Sequence, residues 1–502
     1  MTPRTSKVHH GIGHSMIINF TGSILTSLVL FLSIPAYLHL VGEVRYGVLT
    51  LLWLLLTYLG ALDLGIGRAA TNRIAGLGNN MSERTQTVFW TAFTICLASG
   101  LAGSILLYFT AQALLDHFLA TTPVTLRQEL VHSLPWIILA PPITTVSSLF
   151  VGALQGKGAF MAMNVGQLTT MILYQLTPLV IAFSGYTSLD YLVPGMVGSR
   201  MAGALVLFLL CRLKIPLGSS PSFDRAEISP LLRYGGWISI TNLAGPLLTV
   251  FDRFVIAAQT GAVSVTTYTV PFNLVNSLAL LPASLQTVLL PRFAALREEE
   301  AQQLNAQASV VVMTLMTPMI TALFFLIHPI LIFWVGQGLA DRSTPVAHVL
   351  LMGVWLNAIA FIPFSFLQGR GRPDIPAKFH LLELFPYVVI LWLLIHKFSI
   401  IGAAIAWSLR VFVDTLLLFA VTRQLQLFIK LSLISFAMFG AFSAGRLFTH
   451  DVFWYSVSGI FTVSASILVS LTVLFRQFGP HVFQRDTILF FFKQLLSKGN
   501  HE

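Results

Sequence analysis

Two arginines lie in the middle of apolar stretches that are long enough to cross a membrane. Arg200 is ten residues into the predicted span 190-211, and Arg410 is ten residues into the predicted span 400-422. At about 1.5 Å per residue, each lies roughly 15 Å deep, near the middle of about 30 Å of hydrocarbon. A charge at that depth is costly in lipid, so we expect each arginine to face a water-filled cavity or a partner. Together they predict a cationic cavity, which suits an anionic ligand.

Instead of facing a cavity, either arginine could be neutralised by a carboxylate within the protein. Asp414 follows Arg410 by four residues, on the same helical face, and could neutralise it. Arg200 has no acidic residue at helical spacing, so its partner would have to come from another helix. The sequence alone leaves both alternatives open.

Asp252 and Arg253 form a third charged position, near the outer end of the predicted span 233-258. Adjacent residues project about 100° apart on a helix, so we expect these two side chains not to pair and to face different surroundings. A pair that snorkels at the membrane interface is the simpler interpretation.

Two further carboxylates fall within predicted spans. Asp63 is near the inner end of the span 47-66, where lining a cavity and completing a helix end explain it equally well. Glu383 is one turn into the span 380-396, and we expect it to reach the cytoplasmic interface.

One group of helix-breaking residues predicts a bend. Asn242, Gly245 and Pro246 fall together in the span 233-258, where the proline removes a backbone hydrogen bond. A kinked helix suits a protein that changes between two states, so these residues are the candidate hinge.

The composition places these charges in an all-α polytopic membrane protein. Hydrophobic residues make up 56% of the 502 positions and charged residues 10%, against roughly 45–50% and about 25% in soluble domains. Windows of roughly 20 residues that can cross the hydrocarbon predict about fourteen transmembrane helices. Their approximate spans are 16-40, 47-66, 88-114, 134-155, 163-184, 190-211, 233-258, 266-290, 308-334, 346-368, 380-396, 400-422, 431-447 and 453-475.

The distribution of basic residues predicts the orientation. With the N-terminus inside, 21 of the 29 Lys and Arg residues fall on inner segments, 5 on outer loops and 3 within spans. Basic residues concentrate on the cytoplasmic side of membrane proteins. Both termini are therefore predicted to be cytoplasmic.

An internal repeat organises the helices. LQGKG at 154-158 is matched by LQGRG at 367-371, Arg200 by Arg410, and Gly42 by Gly261. The chain is predicted to contain two pseudo-symmetric six-helix lobes, with a cavity between them. The predicted parts are a cytoplasmic N-terminus (1-15), an N-lobe (16-213), a cytoplasmic linker (214-232), a C-lobe (233-425), two further helices (426-475) and a cytoplasmic tail (476-502).

Several classes of function are disfavoured. The longest predicted outer connection, about 115-133, has fewer than twenty residues, so no soluble catalytic domain is expected and the protein is predicted not to be an enzyme. Basic residues follow the loops rather than forming an aromatic-rich basic run, which disfavours nucleic-acid binding. The two cysteines lie in separate apolar runs, so no disulfide is predicted. Neither a metal site nor a cofactor is predicted.

Three pieces of sequence carry a family resemblance: YGVLTLLWLLLTYLGALDLGIGRA at 46-69, the two LQG turns, and YGGWISITNLAGPLLTVFDRFVIA at 234-257. They resemble the polysaccharide transporter branch of the multidrug, oligosaccharidyl-lipid and polysaccharide exporter superfamily. The first and third are similar to the starts of the two lobes in flippases of O-antigen repeat units.

This resemblance implies a bacterial inner-membrane flippase that moves undecaprenyl-pyrophosphate-linked oligosaccharide repeat units, of O-antigen or exopolysaccharide, from the inner to the outer leaflet by alternating access. Arginine pairs with phosphate in a bidentate manner, so Arg200, Arg410 and Arg253 are the candidate head-group residues. Asp252, Asp63 and Asp414 are candidate sites for H⁺ or Na⁺ coupling. The expected partners of this monomer are the lipid-linked oligosaccharide, membrane lipids and the polysaccharide polymerase machinery.

The sequence is compared with three other functions by the features that each requires. A peptidoglycan lipid-precursor flippase has the same two-lobe plan and differs in being essential for wall synthesis. A drug or organic-cation antiporter needs a carboxylate in its first lobe, where this chain offers a mid-depth arginine and only Asp63 near a helix end. A repeat-unit polymerase or ligase needs a large catalytic outer loop, which is absent here.

Overall fold

The computed structural model describes residues 9–77, 82–118, 122–215, 217, 222–233, 235, 248–430, 432–433 and 452–478. All regular secondary structure in this part of the chain is helical. The helices are α1 (His9–Tyr58), α2 (Ile66–Leu77), α3 (Ser82–Phe118), α4 (Val124–Gly156), α5 (Phe160–Phe183), α6 (Leu189–Lys214), α7 (Phe251–Thr260), α8 (Ala262–Asn276), α9 (Leu280–Ala295), α10 (Glu298–Val335), α11 (Gln337–Gly369), α12 (Asp374–Val421) and α13 (Val452–Phe478), with 3₁₀ turns at Leu59–Asp63 and Ser277–Ala279.

Ten stretches of these described helices are long and apolar enough to cross a membrane. The prediction of an all-α, multi-pass membrane protein is confirmed. The ten stretches are Leu28–Tyr58, Glu83–Ala113, Val124–Gly156, Phe160–Phe183, Leu189–Lys214, Ala262–Ala295, Glu298–Val335, Gln337–Gly369, Asp374–Val421 and Ser458–Arg476.

Two of the helices are each long enough for two crossings. α1 has 50 residues and α12 has 48, or about 70 Å each, against about 30 Å of hydrocarbon. Each contains one non-helical residue, Gly42 in α1 and Ser399 in α12, where two helices meet at a kink. The helices that contain the ten stretches thus coincide with twelve of the predicted spans. Half of the predicted span 233-258 and most of the predicted span 431-447 lie outside the described residues, so the total of fourteen stays a prediction.

The two LQG turns have the same backbone geometry, as the repeat predicts. Gly158 and Gly371 have φ of +73° and +71°, a conformation that favours glycine. In each turn, three successive amides bond to carbonyls at the same positions, 213 residues apart: Lys157 to Ala153, Gly158 to Gln155 and Ala159 to Leu154, then Arg370 to Phe366, Gly371 to Gln368 and Arg372 to Leu367. The equivalence of the turns is confirmed, while the lobe boundaries stay a prediction.

The chain divides into two compact units, Met1–Thr269 and Val270–Glu502. In the first unit, α4 packs against α2, α3 and α6. Gly67 and Gly152 allow close backbone contact between α2 and α4, because a Cβ on Gly152 would collide with the Gly67 carbonyl. Around this crossing is an apolar core that includes Phe89, Phe150 and Leu154.

In the second unit, the described helices α10, α11 and α12 pack in succession, and α13 packs on α10. Trp355 of α11 is fully buried, and its indole donates a 3.0 Å hydrogen bond to the Thr317 hydroxyl of α10. Rigid packing of this kind holds the polar groups of α12 described below.

Candidate functional site

Arg200 lies where three helices of the first unit meet. Its guanidinium stacks on the Tyr174 ring of α5, 4.1 Å from the ring centroid. It also donates 3.1 Å hydrogen bonds to the Leu56 carbonyl and the Thr57 hydroxyl of α1. The turn between α5 and α6 sets this arrangement, since the Ser188 hydroxyl caps α6 by accepting the amide hydrogen of Asp190.

The charge of Arg200 is not neutralised by any carboxylate in the described residues. Its partners there are a carbonyl, a hydroxyl and an aromatic ring. These groups use two of the five guanidinium donors and leave the positive charge in place. Arg200 is eleven residues into α6, or about 16 Å along the helix, which agrees with the predicted mid-membrane depth.

The helix α1 carries a cluster of aromatic side chains near the segment that contacts this arginine. Trp53 lies one helical turn before Thr57 on α1, and its ring is 5.2 Å from Tyr37 and 6.1 Å from Tyr46. Within the described residues, the buried Trp53 Nε1 and Tyr174 hydroxyl have no hydrogen-bond partner. Such groups remain available for a polar ligand. The site therefore offers a cation, aromatic faces and unused polar groups together.

The sequence did not identify Trp53 or Tyr174 as site residues. Trp53 lies in an apolar run without a local polar signal, and Tyr174 is on a different helix from Arg200. The repeat holds a usable signal, because Tyr174 is matched by Tyr387 at the 213-residue offset of the LQG turns. A tyrosine therefore accompanies the mid-span arginine in both copies.

Arg410, the counterpart of Arg200 in the repeat, is paired. Its Nε is 3.3 Å from Glu383 Oε2, and the two side chains are only 10% and 6% exposed. The prediction that Glu383 reaches the cytoplasmic interface is wrong. The kink at Ser399 folds the second half of α12 back along the first, which brings Glu383 to the level of Arg410.

Two more titratable groups complete the cluster around Arg410. His380 Nε2 is 3.8 Å from Asp414 Oδ1, and Asp414 lies one turn after Arg410 on α12. If both carboxyl groups are ionised and His380 is neutral, these four side chains carry two negative charges and one positive charge. Glu383 Oε1 and Asp414 Oδ1 are buried without a hydrogen-bond partner in the described residues. The cluster can therefore accept a proton.

Asp252 and Arg253 pair with each other, contrary to the expectation from their adjacent positions. Arg253 Nη1 is 2.6 Å from Asp252 Oδ1, and the Tyr268 hydroxyl donates a 2.6 Å hydrogen bond to Asp252 Oδ2. The arginine side chain folds back towards the Thr249 carbonyl, so its length overcomes the angular separation of the two residues. Both side chains are buried within the protein.

Asp63 completes a helix end. Its carboxylate accepts hydrogen bonds from the Gly65 amide at 2.8 Å, the Gly67 amide at 3.4 Å and the Ser148 hydroxyl at 2.6 Å. These contacts join the 3₁₀ turn after α1 to the start of α2 and to α4, and Asp63 is only 5% exposed. Of its two interpretations, the geometry favours the structural one.

The candidate hinge residues Asn242, Gly245 and Pro246 lie outside the described residues. Arg200 and Arg410 belong to different compact units, so a cavity that both line stays a prediction.

The sequence profile of a family described as "Polysaccharide biosynthesis protein" matches residues 12–297, more than half of the chain. The chain belongs to this family. It is 27% identical over 401 residues to a Shigella flexneri protein named "Putative O-antigen transporter", and this match covers 80% of the chain and 95% of that protein.

Solved structures of membrane transporters have the same fold. The lipid II flippase MurJ in an inward closed conformation matches with a TM-score of 0.69 at 16% identity, covering 91% of the chain and 99% of MurJ. A multidrug resistance MATE family transporter of the MOP superfamily, in its inward-facing conformation, matches with a TM-score of 0.62 at 14% identity, covering 83% and 94%. This family member thus has the fold of known membrane transporters.

Proposed function

We propose that this transporter flips undecaprenyl-pyrophosphate-linked oligosaccharide repeat units from the inner to the outer leaflet of a bacterial plasma membrane. The observation that carries the proposal is Arg200, which stacks on Tyr174 and has no carboxylate partner among the described residues, at a predicted mid-membrane position. The name of the Shigella flexneri relative supports the same class of cargo.

The chemistry of Arg200 suits the head group of such a cargo. A pyrophosphate must lose water in order to cross the membrane, and a guanidinium replaces that water with charge-assisted, bidentate hydrogen bonds. The neighbouring aromatic rings offer flat apolar surfaces to the sugar that follows the pyrophosphate. The lipid chain stays in the bilayer, so the protein shields only the polar part of the cargo.

Arg410 and Arg253 can bind the head group only under a further condition. Each is held by a carboxylate, Glu383 or Asp252, at 3.3 Å and 2.6 Å respectively. Either arginine can bind a phosphate only after its carboxylate is neutralised or moves away. Arg200 is therefore the principal head-group residue.

The cluster of His380, Glu383, Arg410 and Asp414 is the proposed site of ion coupling. It contains two carboxyl groups but only one arginine, so one carboxyl group has no arginine partner within the cluster. In contrast, both oxygens of Asp63 and both oxygens of Asp252 are already hydrogen-bonded or paired. Uptake of H⁺ or Na⁺ would weaken the interaction of the carboxylates with Arg410.

Asp414→Asn is expected to make transport insensitive to imposed pH and sodium gradients. The control is Asp374→Asn, at an exposed ion pair, which should keep the dependence on both gradients. Transport by the unmodified protein that ignores both gradients would dismiss the coupling site.

We also propose that the protein has fourteen transmembrane helices and that both of its termini are cytoplasmic. Its two lobes would rock against each other in alternating access. Periplasmic and cytoplasmic labelling of single cysteines on the loops tests this topology.

Deleting the gene tests the cargo class in cells. We expect lipid-linked repeat units to accumulate and one surface glycan to disappear, while wall synthesis continues. The measurements are the lipid-linked intermediates in membrane extracts and the surface polysaccharide. Arrest of wall synthesis with an intact surface glycan would instead support a peptidoglycan-precursor flippase.

A further inference from the structure

Two glycines that correspond in the sequence repeat have the same unusual backbone conformation. Gly42 has φ +77° and ψ 167°, and Gly261, 219 residues later, has φ +88° and ψ 173°. This region of backbone conformation is open almost only to glycine. Each glycine lies where two helices meet, so the second half of α1 begins at Glu43 and α8 begins at Ala262. Both junctions belong to the first compact unit and to the outer side of the predicted topology.

The two helices that follow these glycines contact each other through a pair of interactions. The Thr266 hydroxyl of α8 donates a 2.7 Å hydrogen bond to the Glu43 carbonyl of α1. Gly47 of α1 lies so close to α8 that a Cβ on this residue would collide with the Ala262 carbonyl oxygen. At the offset of 219 residues, Glu43 corresponds to Ala262 and Gly47 to Thr266. The repeat therefore converts each of the two interactions into the other.

This exchange is the pattern of two equivalent helices related by a two-fold axis that passes between them. In such an interface, residue i of one part meets residue j of the other, and residue j of the first meets residue i of the second. The second half of α1 belongs to the predicted N-lobe and α8 to the predicted C-lobe. The two predicted lobes thus meet at this contact.

The contact is also dry. Six residues at the contact and one helical turn beyond it are buried: Tyr46, Gly47, Thr50, Ala262, Thr266 and Thr269. A hydrated head group therefore cannot pass between these two helices while they touch. Passage at this point requires α1 and α8 to separate.

We propose that this contact is the outer gate of the transporter. The two helices stay together while the cargo site is open to the inner leaflet, and they separate to release the cargo to the outer leaflet. The inference rests on the alternating access in the proposed function. Gly47 lets the helices close, and the Thr266 hydroxyl holds them closed. One neutral hydrogen bond contributes little net stability, which suits a contact that breaks in every transport cycle.

The test measures whether a reagent outside the membrane reaches a residue behind the gate. Thr50→Cys places a thiol one turn beyond Gly47, and a membrane-impermeant methanethiosulfonate is added to spheroplasts. Cys96 and Cys211 are buried, and the protein without the Thr50 replacement gives the background labelling. Adding Gly47→Ala forces α1 and α8 apart, so the thiol should be labelled roughly tenfold faster.

Two further variants accompany this measurement. Gly60→Ala is the matched control, because a Cβ on Gly60 meets no atom within 4 Å, and it should leave the labelling rate unchanged. Thr266→Val keeps a similar shape and removes the hydroxyl, so it should speed labelling by roughly 2- to 10-fold. It adds no bulk, and so it tests the gate if Gly47→Ala does not fold.

Unchanged labelling in the folded gate variants would overturn the inference, as would an equal acceleration by Gly60→Ala. Labelling is measured without cargo, so it is independent of the identity of the transported lipid. If Gly47→Ala speeds labelling while the unmodified protein moves no lipid-linked oligosaccharide, the gate stands and the proposed cargo is wrong.

Discussion

Replacing Arg200 by alanine is expected to slow flipping of a fluorescent lipid-linked oligosaccharide in proteoliposomes by roughly 10- to 100-fold. A hydrogen bond to a charged group contributes about 1.5–3 kcal/mol, and each 1.4 kcal/mol is about tenfold. The described residues give Arg200 no carboxylate partner, so its removal leaves no buried negative charge behind. The variant should therefore fold normally, which size-exclusion chromatography and thermal unfolding check.

Two further variants separate charge from shape at this position. Arg200→Lys keeps the charge but not the planar, bidentate donor set, so it should retain only part of the activity. Ala204→Asp places a carboxylate one turn after Arg200, as Asp414 stands after Arg410, and should reduce flipping although the arginine is intact. Ala204→Asn is the neutral control of similar size. If well-folded Arg200→Ala protein flips the lipid-linked oligosaccharide at the original rate, Arg200 does not bind the head group.

The second large effect concerns Arg410 and its buried partners. Arg410→Met should lower the free energy of unfolding by about 3–5 kcal/mol at neutral pH, because Glu383 and Asp414 lose their cation inside the protein. The variant's stability should rise as the pH falls, since protonation removes the unpaired charges. Denaturant unfolding in detergent micelles, followed at several pH values, measures both effects.

The double variant Arg410→Met/Glu383→Leu is the matched control for this loss. It removes both members of the pair, so most of the stability should return. Arg372→Ala, which opens an exposed pair with Asp374, should change stability little. An Arg410→Met protein as stable as the original at every pH would show that no buried pair is formed.

The repeat explains why two equivalent arginines have different surroundings. Tyr174 and Arg200 are matched by Tyr387 and Arg410, so both copies have the tyrosine and the arginine. The carboxylates are found only in the second copy, because Glu383 corresponds to Thr170 and Asp414 to Ala204 at the same offsets. One copy thus has an arginine without a carboxylate partner among the described residues, and the other holds its arginine in a cluster with two carboxyl groups.

The features that follow from hydropathy and backbone conformation could be predicted from the sequence. The lengths of the apolar spans predicted the all-α membrane fold. The glycines of the LQG turns predicted two turns of the same geometry. The position of Arg200 along α6 also followed from the predicted start of its span. These properties depend on residues that are close together in the chain.

The pairing of charges could not be predicted, because it depends on which helices come together. Glu383 reaches Arg410 only because α12 folds back at Ser399, a residue without the usual signs of a helix break. Tyr174 reaches Arg200 through the packing of α5 against α6. Arg253 pairs with Asp252 because its long side chain turns back along α7.

The most direct test is the affinity of the purified protein for an undecaprenyl-pyrophosphate-linked oligosaccharide, compared between the original chain and Arg200→Ala by native mass spectrometry. We predict a Kd that is roughly 10- to 100-fold higher for the variant, with Arg200→Lys in between. Equal Kd values for all three folded proteins would contradict the claim that a mid-membrane arginine holds the pyrophosphate.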